Sequence, residues 1–300
     1  MRICLLTPDP GHPLLAATAE LLAPDHRVES LDPTAGHAPP AELLGPGPLA
    51  DVYLLKARTP RALALARHLE ECGAPVVNSA AATGFCQDRT GMAELARAAG
   101  LPFAATRTAA TLAQLPDPDF PLVVKSRYSR RHDLVARVDD AAQLHALAEQ
   151  WPDEPVIAQP YLANTGWDQK LWVIAGQVFC ARRRSELAAA AVAPAPGADA
   201  FGPRELPAER ADLALRVGEV FGLDVYGVDL LDGPAEPVIV DVNAFPGIRG
   251  QAGAPEALAA LALYAAHHGP APRVPAALRV PGALRVTGAP RVPGQRSAGR

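Results

Sequence analysis

The chain has 300 residues, 49% of them hydrophobic and 20% charged, with a formal net charge of -4. That composition supplies a sizeable apolar core and excludes a wholly disordered or fibrous chain, and the longest apolar run, Ala257 to Ala266, falls far short of the ~20 residues that cross a bilayer. Four widely spaced cysteines (Cys4, Cys72, Cys86, Cys180) give neither a zinc spacing nor a disulfide framework, so a cytoplasmic protein is expected.

In chain order, "RICLLTP" reads as a strand, Leu14 to Leu22 as a helix and "ADVYLLKA" as a second strand. A helix from Arg61 to Cys72 stops at Gly73, and "APVVNS" adds a strand and a turn, which predicts a small parallel α/β lobe over residues 1–84. The next helix, Arg89 to Ala99, ends at Gly100. Beyond it lie "FPLVVKS", "DLVARV", "PVIAQPYL", "KLWVIAGQVFCARR", "DVYGVDLLD" and "EPVIVDVN", with helices at Ala141 to Gln150 and Ala208 to Phe221. Strands in hairpin order with two helices describe an α+β region over residues 85–269. The Ala/Pro/Gly-rich stretch between Ser185 and Pro207 reads as a surface flap. Residues 270–300, with arginines every six positions among Pro and Gly, read as a disordered tail. The tail has no aromatic residue for base stacking, which argues against a nucleic-acid partner.

Only three of the 28 Lys and Arg residues are lysines: Lys56, Lys125 and Lys170. In a chain that otherwise uses arginine, these mark positions needing a compact ammonium.

Three stretches carry chemistry. In "YGVDLLDGPAEPVIVDVNAFPGIRG" two strand-like segments flank a turn, predicting an antiparallel hairpin. Asp241 and Asn243 are two apart and share a face, with Asp229 placed to meet them across the pair. Two carboxylates and an amide oxygen converging among apolar strands call for a hard cation such as Mg2+. Arg249, just beyond, is placed to reach an anion. Second, "FPLVVKS" delivers Lys125 to the loop "SRYSRRHD", where Arg127, Arg130, Arg131 and His132 predict polyphosphate recognition. Third, a strand ends at Gln159-Pro160 and the chain returns after Asp168 as a strand carrying Lys170 and then Arg184, a hinge between lobes. Asp168 suits hydroxyl groups, and Lys170 and Arg184 suit phosphate or a developing anion. His12, after "TPDPG", is read either as a turn residue in water or as lining an acceptor site.

In this order the residues resemble the ATP-grasp superfamily, and within it the RimK-like branch of carboxylate-amine ligases. The resemblance covers nearly all of the chain except the tail, and implies an ATP-grasp fold behind an N-terminal Rossmann-like lobe. It implies ATP-phosphate contacts at Arg89 and Lys125, adenine reading by the backbone of Gln159, Pro160, Tyr161 and Leu162, a ribose contact at Asp168, and Lys170 at the family's following Arg. It further implies a substrate-side role for Arg184 and magnesium ligation, or manganese in its place, by Asp229, Asp241 and Asn243. The implied reaction joins a carboxylate to an amine of small-molecule or peptide substrates, with ATP consumed through an acyl phosphate, and a homo-oligomer is a further implication. Arg89 stands where the family has Lys, Lys170 where it has Arg, and Asp241 where it has Glu. The loop after Lys125 lacks the family's glycines, so either its arginines replace the backbone clamp or the phosphate lid is impaired. An ATP-grasp kinase acting on a hydroxyl and a nucleotide-binding module without turnover stay open beside the ligase.

Overall fold

The computed structural model describes residues 1–35, 40–44, 47–116, 118–162, 167–185, 187, 206–232 and 236–269. The expected tail and most of the expected flap lie outside them. The first lobe holds β1 (Arg2–Leu6), α1 (Pro13–Leu22), β2 (Arg27–Leu31), β3 (Val52–Leu55), α2 (Pro60–Glu71) and β4 (Val76–Val77). Its sheet runs β2-β1-β3-β4, all parallel. The apolar runs seen in the sequence become the buried central strands, whereas β2, an edge strand of half-buried and exposed residues, was not expected. Thr59 caps α2, whose Leu65, Ala66 and Leu69 face the sheet. Gly73 and Gly100 end α2 and α4 (Arg89–Ala98) at φ of 82° and 66°, as predicted. Between these helices the short α3 (Ala80–Phe85) replaces the expected turn.

A second sheet, β5-β8-β6-β7, is antiparallel and comprises β5 (Arg107–Ala109), β6 (Leu122–Ser126), β7 (Val135–Val138) and β8 (Val156–Pro160), with α5 (Ala141–Gln150) beside it. The third sheet, β10-β9-β11-β12, is also antiparallel: β9 (Trp167–Ile174), β10 (Gln177–Arg184), β11 (Val225–Asp232) and β12 (Pro237–Ala244). The run "KLWVIAGQVFCARR" is therefore a hairpin, turned at Ala175-Gly176 with φ of 49° and 87°. The helix α6 (Ala208–Phe221) packs on one face of this sheet and approaches β11 so closely that a Cβ at Gly218 would collide with the Tyr226 hydroxyl, which donates to the Ala214 carbonyl at 2.8 Å.

The C-terminal helix α7 (Ala254–His268) takes up the apolar run that is too short for a membrane. Its Leu258, Leu261 and Ala262 share one core with Leu5 and Leu14 of the first lobe and with Trp172, Ile174 and Val225 of the third sheet. Fully buried Asn78 fastens the same junction: its Nδ2 donates to the Val225 carbonyl at 2.7 Å, and its Oδ1 accepts from the amides of Asp224 and Val225 at 2.8 and 2.9 Å. First lobe and third sheet are thus one packed body, with the C-terminal ends of β1 and β3 turned toward the end of β12. Among the described residues no helix is long and apolar enough to cross a membrane.

Candidate functional site

The site is built on one row of the third sheet. In the β11–β12 pair Asp229 stands opposite Asp241 and Gly227 opposite Asn243, while on its other side Asp229 stands opposite Lys170 of β9. Strand alternation then carries Asp229, Asp241, Asn243, Lys170 and Asp168 to one face. A register shift between Asp229 and Leu230 sharpens the local twist. A Cβ at Gly227 would lie 3.1 Å from Pro246 Cγ and 3.3 Å from Trp172 Cδ1, so glycine there lets the turn after β12 fold back across the sheet. That turn holds Phe245 at φ 44°, a left-handed conformation for a bulky residue two positions after Asn243.

Three cations surround the carboxylates. Lys170 Nζ donates to both Asp229 oxygens at 2.7 Å. Lys125, at the buried end of β6, donates to the Val240 carbonyl at 2.9 Å. Arg89, buried at the first position of α4, donates to the Ser126 carbonyl (2.8 Å) and the Asp133 carboxylate (2.7 Å), and its other nitrogen lies 3.6 Å from Asp241. Burial pushes the Asp229 carboxyl up, the facing Asp241 pushes in the same direction, and Lys170 opposes both. Burial and Arg89 lower Lys125, against the pull of Asp241, Asp229 and Asp168. Two facing carboxylates with the Asn243 amide form an all-oxygen donor set whose mutual repulsion a cation relieves, and these residues fit a hard divalent ion.

The predicted hinge residues lie at the end of β8. Gln159 is buried and donates to Thr106 Oγ1 at 3.1 Å, β8 stops at Pro160, and the Tyr161 amide donates to the Pro121 carbonyl at 3.0 Å. Leu162 closes the described part, because 163–166 lie outside it. The side chain of Arg184 also lies outside the described residues; its backbone pairs with Trp167, and Arg183 pairs with Asp168.

The loop after Lys125 differs from expectation. Arg127 forms two hydrogen bonds with Asp88 (2.9 and 2.8 Å), Arg130 forms two with Glu154 (2.7 and 2.6 Å), and the Ser129 amide donates to the Gln87 carbonyl. Two of its arginines are therefore internal staples rather than a free phosphate clamp. Both acids sit below the ordinary carboxylate range because of these arginines, against the upward push of burial. The sequence reading missed Asp133, Asp88 and Glu154, whose role shows only once distant strands meet. It singled out Lys56 without placing it: Lys56 Nζ donates to the carbonyls of Phe245 and Pro246. The four cysteines are free, with buried Cys4 pushed up to about 12, as expected of an inert thiol.

A family model described as RimK-like ATP-grasp domain matches residues 100–257. A probable alpha-L-glutamate ligase of Alcanivorax borkumensis is 28% identical over 202 residues, covering 62% of this chain, and the chain spans 65% of that relative's length. A protein of the same description from Legionella pneumophila is 24% identical over 83% of this chain and 89% of its own. Among solved structures, a RimK domain protein ATP-grasp from Sphaerobacter thermophilus superposes with a TM-score of 0.70 at 23% identity, covering 88% of this chain and all of that one, a likeness of fold.

Proposed function

The chain belongs to the RimK-like ATP-grasp family, and from that premise we propose that it is an ATP- and Mg2+-dependent ligase that joins a carboxylate to an amine through an acyl phosphate. The observation that carries the reading is the row Lys170–Asp229–Asp241 with Asn243 beside it and Lys125 buried against the next backbone segment. Asp229, Asp241 and Asn243 would hold the cation, which supplies charge neutralisation at the β- and γ-phosphates. Lys125, in a dry setting, offsets charge on the transferred phosphoryl group. Arg89 holds the Asp241 side of the site in place through Asp133 and the Ser126 carbonyl. The backbone at Gln159, Pro160, Tyr161 and Leu162 reads adenine, Asp168 the ribose, and Lys170 a phosphate. Arg184 steadies the acyl phosphate while an amine nitrogen attacks the acyl carbon and phosphate leaves, with the amine proton passing to solvent or to the departing phosphate. The kinase reading drew on Arg130, Arg131 and His132 of the basic loop, and the pairing of Arg130 with Glu154 takes up one of these cations.

The test is a thermal melt of the full chain with ATP, Mg2+ or both, beside Lys125→Ala and Asp241→Ala. At about 100 times Kd, ligand binding adds roughly 2.7 kcal/mol. A shift that needs both ligands and is lost in the variants supports the site, and amine-dependent release of ADP and phosphate supports the reaction. ADP without phosphate would turn the reading to a kinase, binding without turnover to a nucleotide-binding module, and no shift at millimolar Mg-ATP would end it.

A further inference from the structure

Where the first lobe meets the turn after β12, several cationic groups gather that the reaction above leaves without a role. Lys56, directly after β3, is half-buried, and its two bonds to the carbonyls of Phe245 (3.2 Å) and Pro246 (3.1 Å) leave one ammonium hydrogen for another acceptor. Arg249, exposed, is the charge that acts most strongly on it, and Arg58 reaches the Ser129 hydroxyl at 3.2 Å. His12, only 5% exposed, caps α1: its Nδ1 accepts from the Leu14 amide at 3.3 Å, so the neutral ring carries its proton on Nε2. That Nε2 is buried without a partner among the described residues and faces Gly247, whose missing Cβ would sit 3.5 Å away. Burial with Lys56 and Arg249 holds His12 below the ordinary histidine range, and burial with Arg249 and Arg58 holds Lys56 at about 8. Asp9 is the acid that acts on both, and among the described residues no carboxylate forms an ion pair with Lys56, Arg58 or Arg249.

A group of donors left unanswered by the protein, one of them a buried unpaired N–H, is an anion site. It lies at the C-terminal ends of parallel strands, where such sheets bind ligands. We propose that Lys56, Arg249 and His12 form a carboxylate subsite separate from the nucleotide phosphates, which holds the non-reacting acid group of a small dicarboxylate substrate. At most about 7 Å of extended chain separates Asn243 from Phe245, so one short molecule bridges the subsite and the reacting centre. The inference rests on the ligase reading for the fate of the other carboxylate, but anion binding is measurable without it.

Calorimetry on the full chain, with glutarate as dicarboxylate and butyrate as monocarboxylate, each with and without saturating Mg-AMPPNP, tests the subsite. Glutarate is expected to bind at least tenfold more tightly than butyrate in both conditions. Arg249→Gln, at an exposed position, is expected to remove that preference while Mg-AMPPNP binding stays unchanged; Lys56→Met removes it too, and Lys56→Arg restores part. Equal glutarate affinity in wild type, Arg249→Gln and Lys56→Met overturns the proposal, as does displacement of glutarate by Mg-AMPPNP, which would make the cluster a phosphate site. Failure of Mg-AMPPNP to bind overturns the nucleotide reading instead, and the glutarate comparison still decides this one.

Discussion

Two basic regions border the cleft, and they differ in how their charge is answered. In the loop from Ser126 to Asp133, Arg127 and Arg130 each close a two-point contact with a carboxylate, and Arg89 beneath it holds Asp133. At the first-lobe edge, Lys56 has backbone carbonyls for partners and Arg249 has no described acid. The loop is richer in charge, yet the charge of Arg127 and Arg130 is consumed in holding the loop's shape. Positive density alone does not mark a site; positive density without an internal counter-charge does.

The sharpest way to break this contrast is to remove the buried cation of β6 that acts on the row of carboxylates. Lys125→Met is expected to lower kcat by about 10² to 10³-fold, because a buried charge facing the reacting group has no substitute, as steady-state ADP release would show. If the loop arginines were the true clamp, Arg127→Ala would match that loss; it is expected to stay within about threefold. Asn78→Ala strips three hydrogen bonds from the buried junction that aligns the two regions and is expected to cost about 2 kcal/mol in urea unfolding. Glutarate affinity is expected to fall as pH rises through about 8, since the Lys56 ammonium is the binding form and is lost there, with Asp9, Arg58 and Arg249 the charged groups that face it and His12 held below the ordinary histidine range; Lys56→Arg flattens that titration curve. The smallest effect belongs to the staples: Glu154→Gln is expected to cost about 0.5 to 1 kcal/mol. Glu154 binds fewer protons folded than unfolded, so its contribution is complete at neutral pH and is lost as pH falls from about 4.3 through its lowered folded value; urea melts between pH 3 and 7 would show the difference shrinking.

Much of this was legible from residue order. The two-residue spacing of Asp241 and Asn243 and the turn composition before β12 predict a shared face and a hairpin, and the register places Asp229 opposite Asp241. Helix stops at Gly73 and Gly100 and the strand end at Pro160 follow from backbone chemistry local to each residue. Polar edge strands such as β2 and β5 carry too little apolar periodicity to be read, and the interior of α7 looked like an undirected apolar run because the first lobe and the third sheet bury it from two sides.

What the sequence determines by itself is whatever depends on near neighbours: strand alternation, helix caps, and the pairing of donor types two residues apart. Tertiary structure alone decided which charges are spent. Arg127 finds Asp88 and Lys170 finds Asp229 across 39 and 59 residues, whereas Lys56 donates to carbonyls 189 and 190 residues away. Coulomb energy depends on distance and burial in space rather than on separation along the chain, so the composition of a loop reveals its charge but not whether that charge is left for a ligand.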